Sequence, residues 1–248
     1  MVGTTGVSTY GGSQGKSKKE TETFANKDGY ETLVWFEDTD NSNYEAWSNN
    51  LTKDEKQAID DYIGYDYGGI NSSLYNIPWE DLKEGWQKKE IVDLYHAINK
   101  FELKQTIQVN RACDSKIFGK KGMSVNEIKA FLKQSDGYVQ NNAFMSFSTK
   151  SGGVVVDSKG VQLHVTVPES TGAGAFLGKH GLGNEREFLF NNNAVIKFDS
   201  DKVYQDNYGI IHVYGEWVGQ AESQTISKNY DKNALSKGKK SKGKKSGK

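Results

Sequence analysis

Apolar residues in this chain recur first at helical spacing and then, past Phe101, at strand spacing. Ala58, Ile59, Tyr62 and Ile63 make one helical stripe. Ahead of it Thr52 and Glu55 form a T-x-x-E capping box, with Leu51 placed as its staple, and Gly64 is expected to end the helix. A short second helix is expected near residues 70–74. A third is expected over 89–101, where Ile91, Leu94, Tyr95, Ile98 and Phe101 share a face and His96 falls off it to the surface. Residues 106–113 alternate and read as a strand. Ser124 and Glu127 box another helix through Leu132. Strand-like runs follow at 143–149, 160–167, 185–190, 194–198 and 210–218. Helices first and short strands after predict an α+β fold, not an alternating parallel sheet.

Composition sharpens this picture. The mean hydropathy is low, at -0.73, but 13 Tyr, 11 Phe and 5 Trp supply a core. Two prolines against 27 glycines point to β-rich structure with flexible connections. The single cysteine, Cys113, excludes an internal disulfide and reads as a small buried filler. No apolar run approaches the ~20 residues of a membrane helix, so no membrane insertion is expected. The N-terminus lacks the apolar core of a signal peptide, which predicts a cytoplasmic protein.

Three regions follow. Residues 1–22 are Gly, Ser, Thr and Lys with little to bury and read as a flexible leader. Residues 23–220 read as a single folded domain, in which Leu33, Val34, Trp35 and Phe36 dock as a short strand or turn. Residues 221–248 read as a disordered, lysine-rich tail. The formal charge is zero, yet seven lysines lie beyond Leu235. The remainder carries 25 basic against 32 acidic residues, a sign that does not attract a phosphate backbone. The tail alone is a candidate electrostatic tether to nucleic acid or ribosomes.

The candidate chemistry centres on Gly183-Asn184-Glu185-Arg186-Glu187-Phe188-Leu189-Phe190. In a regular strand Glu185, Glu187 and Leu189 point one way and Arg186, Phe188 and Phe190 the other. Paired carboxylates on one face belong to catalysis, a metal or plain solvent. Four scattered histidines and one cysteine give no metal-ligand spacing, and nothing supplies the sugar platform of a glycoside hydrolase. Arg111 ends an otherwise apolar strand face, where a guanidinium is matched by an anion such as phosphate. In Phe144-Met145-Ser146-Phe147-Ser148-Thr149, Ser146 and Ser148 share a face. Tyrosines, glycines and Asn71 are packed between the first two helices, in residues 62–74.

Arg, S-x-S and E-x-E in that order on successive strands resembles the R-S-E class of mono-ADP-ribosyltransferases. The Tyr62-to-Leu74 stretch resembles the helical signature of the bacterial exoenzyme branch, which includes the binary actin-modifying toxins. The resemblance covers residues 52–218. It implies a split sandwich of two packed sheets around an NAD cleft, with helices on its flank. It also implies roles: Glu187 as the catalytic glutamate, Glu185 as the residue that receives an acceptor arginine, and Ser146 as the group positioning Glu187. Arg111 and Ser148 would bind NAD, and Tyr62 and Asn71 would wall its nucleotide side. The usual S-T-S reads Ser146-Phe147-Ser148, so Ser148 and Thr149 are alternatives for its third place. His164 stands where many relatives carry a phosphate-binding base; an outward-facing strand histidine is the alternative. His180 is the nearest ring in the loop before Glu185 for acceptor recognition.

The activity implied is transfer of ADP-ribose from NAD, with no metal, to an arginine of a target protein and release of nicotinamide. The alternatives are an NAD glycohydrolase and a non-catalytic phage-particle or binding protein of the same fold. The setting implied is a host or target cell reached by a delivered toxin or phage effector.

Overall fold

The computed structural model describes residues 41–77, 81–82, 85–149, 160–177 and 186–221. The leader at 1–22, the cluster at 33–36, His180, Glu185 and the tail past 221 lie outside the described residues.

A helical arm comes first. Helix α1 (Asn41–Asn49), which the apolar pattern did not reveal, buries Tyr44 and Trp47. Trp47 donates its indole N–H to Ala97 O at 2.8 Å and meets Phe101 edge to face. Helix α2 (Lys53–Asp61) opens with the expected capping box: Glu55 N–H donates to Thr52 Oγ1, and Thr52 N–H to Glu55 Oε2. The same carboxylate, 1% exposed, accepts from Lys100 Nζ at 2.7 Å, so the box also ties α2 to Lys100, the residue that caps the helix ending at Asn99. Gly64 does not stop the chain. Residues Tyr62–Asp66 widen into a π-helical turn that runs straight into α3 (Tyr67–Asn76). A hydrogen atom in place of a side chain suits such a turn, and π turns concentrate at functional sites. Helix α4 (Trp86–Asn99) buries Ile91, Leu94 and Ile98 as expected. His96 is half-buried against the Tyr95 ring and is not a surface residue, because the rest of the arm covers that side of α4.

Among the described residues ten strands follow: β1 (Glu102–Leu103), β2 (Ile107–Cys113), β3 (Tyr138–Asn141), β4 (Met145–Ser148), β5 (Val161–Val167), β6 (Ser170–Thr171), β7 (Gly174–Phe176), β8 (Glu187–Phe190), β9 (Ala194–Gln205) and β10 (Ile211–Gln220). Helix α5 (Val125–Gln134), with its Ser124/Glu127 capping box, lies between β2 and β3. Strands β1 and β6 pair alone; the other eight run in the order β3-β9-β10-β5-β2-β4-β8-β7. Among the described residues only β10 and β5 are parallel neighbours. The sheet is nearly two. Strands β2 and β4 share one register pair, Asn110 with Ser148, so halves of five and three strands splay from a single hinge point. Arm and sheet bury their apolar faces in one continuous core.

Strand β2 shows why the sheet is not an ordinary half-buried one. Ile107 and Val109 face a buried apolar layer with Val165 and Val167. Their alternates Gln108 and Asn110 are buried too, and each is paired: Thr166 Oγ1 donates to Gln108 Oε1 at 2.8 Å, and Asn110 meets His164.

At the sheet edge, Gly174 in β7 sits against the strand beside it. A Cβ added there would lie 2.5 Å from Phe188 Cε1 and 2.7 Å from Leu189 O. Gly174→Ala should therefore destabilise the fold by about 1–3 kcal/mol, read as a lower denaturant midpoint with unchanged slope.

Candidate active site

Tyr62 stands where the helical arm meets the split in the sheet. It is 3% exposed, with its ring edge to face on Phe144. Its hydroxyl accepts from Asn71 Nδ2 at 3.0 Å, an i, i+9 contact that the π turn makes possible by resetting the helical phase between α2 and α3. The Ser146 side chain and the charges of Glu187 and Arg111 also act on this hydroxyl. Burial first, and then the Glu187 charge, push the phenol far above its ordinary value of 10.0. Asn71, Arg111 and Ser146 oppose that rise without cancelling it. Tyr62 is thus a neutral hydroxyl at every physiological pH.

Two printed contacts link expected site residues, Asn71 to the Tyr62 hydroxyl and Arg111 to the Ser146 carbonyl, and Glu187 and Arg111 both bear electrostatically on that hydroxyl. Arg111, half-buried near the end of β2, donates Nη1–H to Ser146 O at 2.6 Å. That bond uses one of the five donors of a guanidinium and aims its plane along β4. Ser146 and Ser148 share a face of β4, and Ser148, 6% exposed, is the register partner of Glu187. Glu187 is half-buried at the start of β8. A carboxylate and a guanidinium flanking one buried hydroxyl, at a seam where two half-sheets part, can grip a ligand that carries anionic groups at one end and develops positive charge at the other.

The strand entering this site differs from expectation at one residue. Arg186 has φ +48°, the left-handed region, so regular alternation does not run back through it and β8 begins only at Glu187. The carbonyl of Arg186 accepts from both Thr149 N–H, at 3.0 Å, and Thr149 Oγ1, at 3.2 Å.

His164 has a different setting from the one expected. Its Nδ1–H donates to Asn110 Oδ1 at 2.7 Å, which leaves Nε2 to accept from His212 Nδ1 at 2.9 Å. Both ring nitrogens are therefore engaged inside the sheet, and the ring stacks between His212 and Tyr214. Burial, then the neighbouring His212, lower its pKa from 6.5 to about 3, so it is a neutral imidazole and not a cation for phosphate. It is still connected to the site. Glu187, Ser148, Asn110, His164 and Tyr214 are successive register partners, a polar row crossing five strands on one face. Cys113 is half-buried, and burial raises its thiol to about 11, which keeps it an inert filler.

Asn110 and Thr149 were not singled out by motif spacing for what they do. Asn110 adjoins Arg111, but only the strand register shows that it bridges the two half-sheets. Among the described residues no group of His, Cys, Asp and Glu is arranged to hold a metal, and no helix is long and apolar enough to cross a membrane.

This geometry has known counterparts. The model of the ADP-ribosyltransferase exoenzyme family matches residues 38–214, well over half of the chain. The chain belongs to the ADP-ribosyltransferase exoenzymes. Among solved structures it is similar to Plx2a, an ADP-ribosyltransferase toxin from Paenibacillus larvae, at 20% identity over 72% of this chain and 92% of that one, with a TM-score of 0.58. It is also similar to BECa, the ADP-ribosylating component of a binary enterotoxin of C. perfringens, determined with NADH. There the identity is 20% over 76% of this chain and 50% of the other, with a TM-score of 0.59, so the chain matches about half of BECa's length. C3stau2 from S. aureus, determined with NAD, aligns at 16% identity over 75% of this chain and 99% of that one, with a TM-score of 0.56. At these identities the likeness shows the fold. No curated sequence matches the chain.

The buried imidazole gives a pH prediction. The folded pKa of His164 lies below its unfolded value of 6.5, so protonation favours the unfolded chain. Stability should fall as pH drops below 6.5, by up to about 1.4 kcal/mol per pH unit for this one group. His164→Gln should flatten that slope between pH 6.5 and 4.5 in denaturant titrations; an unchanged slope would place the effect elsewhere.

Proposed function

We propose that the protein transfers ADP-ribose from NAD to an arginine side chain of a target protein, releasing nicotinamide. The observation that supports this reading is the bond from Arg111 to the Ser146 carbonyl together with the influence of Glu187 and Arg111 on the buried Tyr62 hydroxyl. Arg111 binds the pyrophosphate, a planar fork matched to paired oxygens. Ser148 and the Tyr62–Asn71 pair line the same cleft. Glu187 holds a hydroxyl of the nicotinamide ribose and stabilises the positive charge that builds as the C1′–N bond breaks. The bond's electron pair leaves with nicotinamide, which departs neutral. Ser146 orients Glu187 and so keeps the carboxylate aimed at the ribose. Glu185 receives the acceptor guanidinium and takes its proton as nitrogen attacks C1′ with inversion. His164 has no part in holding phosphate here.

Similar structures of this fold include toxins and were determined with NAD or NADH, which supports the nucleotide and a delivered toxin acting on a protein of the cell it enters. The lysine tail is assigned to tethering, by charge alone, to nucleic acid or ribosomes near that target.

The test uses NAD labelled in its adenylate half, with lysate as acceptor and free nicotinamide read in parallel. Glu187→Gln should lower nicotinamide release by about 10²–10³-fold. Glu185→Gln should abolish the protein label while release continues. Mass spectrometry should place the label on arginine; a label on Asp, Asn or Cys would overturn the acceptor, and free ADP-ribose without protein label would make the enzyme a glycohydrolase.

A further inference from the structure

The residue before Glu187 occupies a conformation that its side chain does not favour. Arg186 takes φ +48°, where a Cβ crowds the backbone, and it is not a glycine. A strained peptide next to a reactive group persists only when its surroundings hold it. Thr149, 1% exposed, directs both its backbone N–H and its hydroxyl at the single carbonyl of Arg186, at 3.0 and 3.2 Å. That carbonyl belongs to the peptide whose nitrogen is Glu187's own. Fixing the peptide plane fixes the direction in which the Glu187 Cα–Cβ bond leaves the strand. On the far side of Glu187, Leu177 N–H donates to the Glu187 carbonyl at 3.0 Å. The residue is thus clamped from β4 on one side and from the end of β7 on the other, and Ser148, next to Thr149, is its register partner.

We infer that Thr149 is a positioning residue for Glu187, acting through the Arg186 carbonyl. The inference rests on the functional reading above and adds a group that touches neither nucleotide nor acceptor. It also separates the neighbours of the S-x-S stretch. Ser146 takes the Arg111 guanidinium on its carbonyl, Ser148 stands opposite Glu187, and Thr149 holds the carbonyl of the residue before it.

The backbone donor survives any substitution at 149, so the hydroxyl is what a variant can remove. Thr149→Val keeps shape and branching and loses the oxygen; Thr149→Ser keeps the oxygen and loses a methyl. Nicotinamide release is measured against NAD concentration for both, with thermal unfolding alongside. Thr149→Val should lower kcat by roughly ten- to a hundredfold with KM for NAD within about threefold, because the nucleotide still binds while the carboxylate is misaimed. Thr149→Ser should restore kcat to within about threefold of the parent. Full kcat in Thr149→Val overturns the inference. So does an equal loss of kcat in both variants that tracks a lowered Tm, which is the mark of a purely structural residue. If Thr149→Val does not fold, Thr149→Ala and Thr149→Ser decide it, the first falling in kcat and the second not. A parent chain that releases no nicotinamide removes the functional reading itself, and this inference with it.

Discussion

One pair of residues holds the two parts of the sheet together. Among the described residues, Asn110 on β2 and Ser148 on β4 are the one pair in register between these two strands. Beyond them the five-strand half and the three-strand half separate; the edge strands there carry Arg111 on β2 and Ser146 on β4, and Glu187 lies one strand further in, on β8. A continuous sheet would have covered these groups with neighbouring strands. A fully separated one would have left them too far apart to act together. The single bridge keeps charged side chains within reach of one another while leaving their ends uncovered.

The helical arm completes what the split begins. Tyr62 comes from a π turn, a shape that costs helix regularity, and its hydroxyl meets Asn71, Ser146 and the fields of both charges. Because that phenol stays neutral, it orders its neighbours without adding a charge that would weaken Arg111 or Glu187. The polar row from Glu187 through Ser148, Asn110 and His164 to Tyr214 gives the same carboxylate a second connection, to the interior of the larger half-sheet. Every buried group along it has a partner, as a low-dielectric setting demands.

Much of this was legible in the chain. Capping boxes at Thr52 and Ser124 work through contacts three residues apart, so they read directly from sequence and form as read. The strands that carry Arg111, Ser146 and Glu187 show in their alternation, and the order of those residues identified the family. What was not legible depends on tertiary context. Gly64 looks like a helix stop, yet the chain continues because the π turn is held by Tyr62 packing on Phe144. His164 looks like a phosphate donor until strand register puts it against Asn110 and His212. Strands β1, β6 and β7 are too short to carry a period, and Gly174 packs by the absence of a side chain. Arg186 breaks the E-x-E alternation through one backbone angle, and no sequence pattern encodes that choice.

The most direct test of the central claim is a crystal structure of the chain soaked with NAD, read for where the nucleotide lies. The pyrophosphate should sit within hydrogen-bond distance of the Arg111 guanidinium. The nicotinamide ribose should contact the Glu187 carboxylate, with Tyr62 beside it. A nucleotide lodged away from the seam between β2 and β4, or one that touches neither Arg111 nor Glu187, would contradict it.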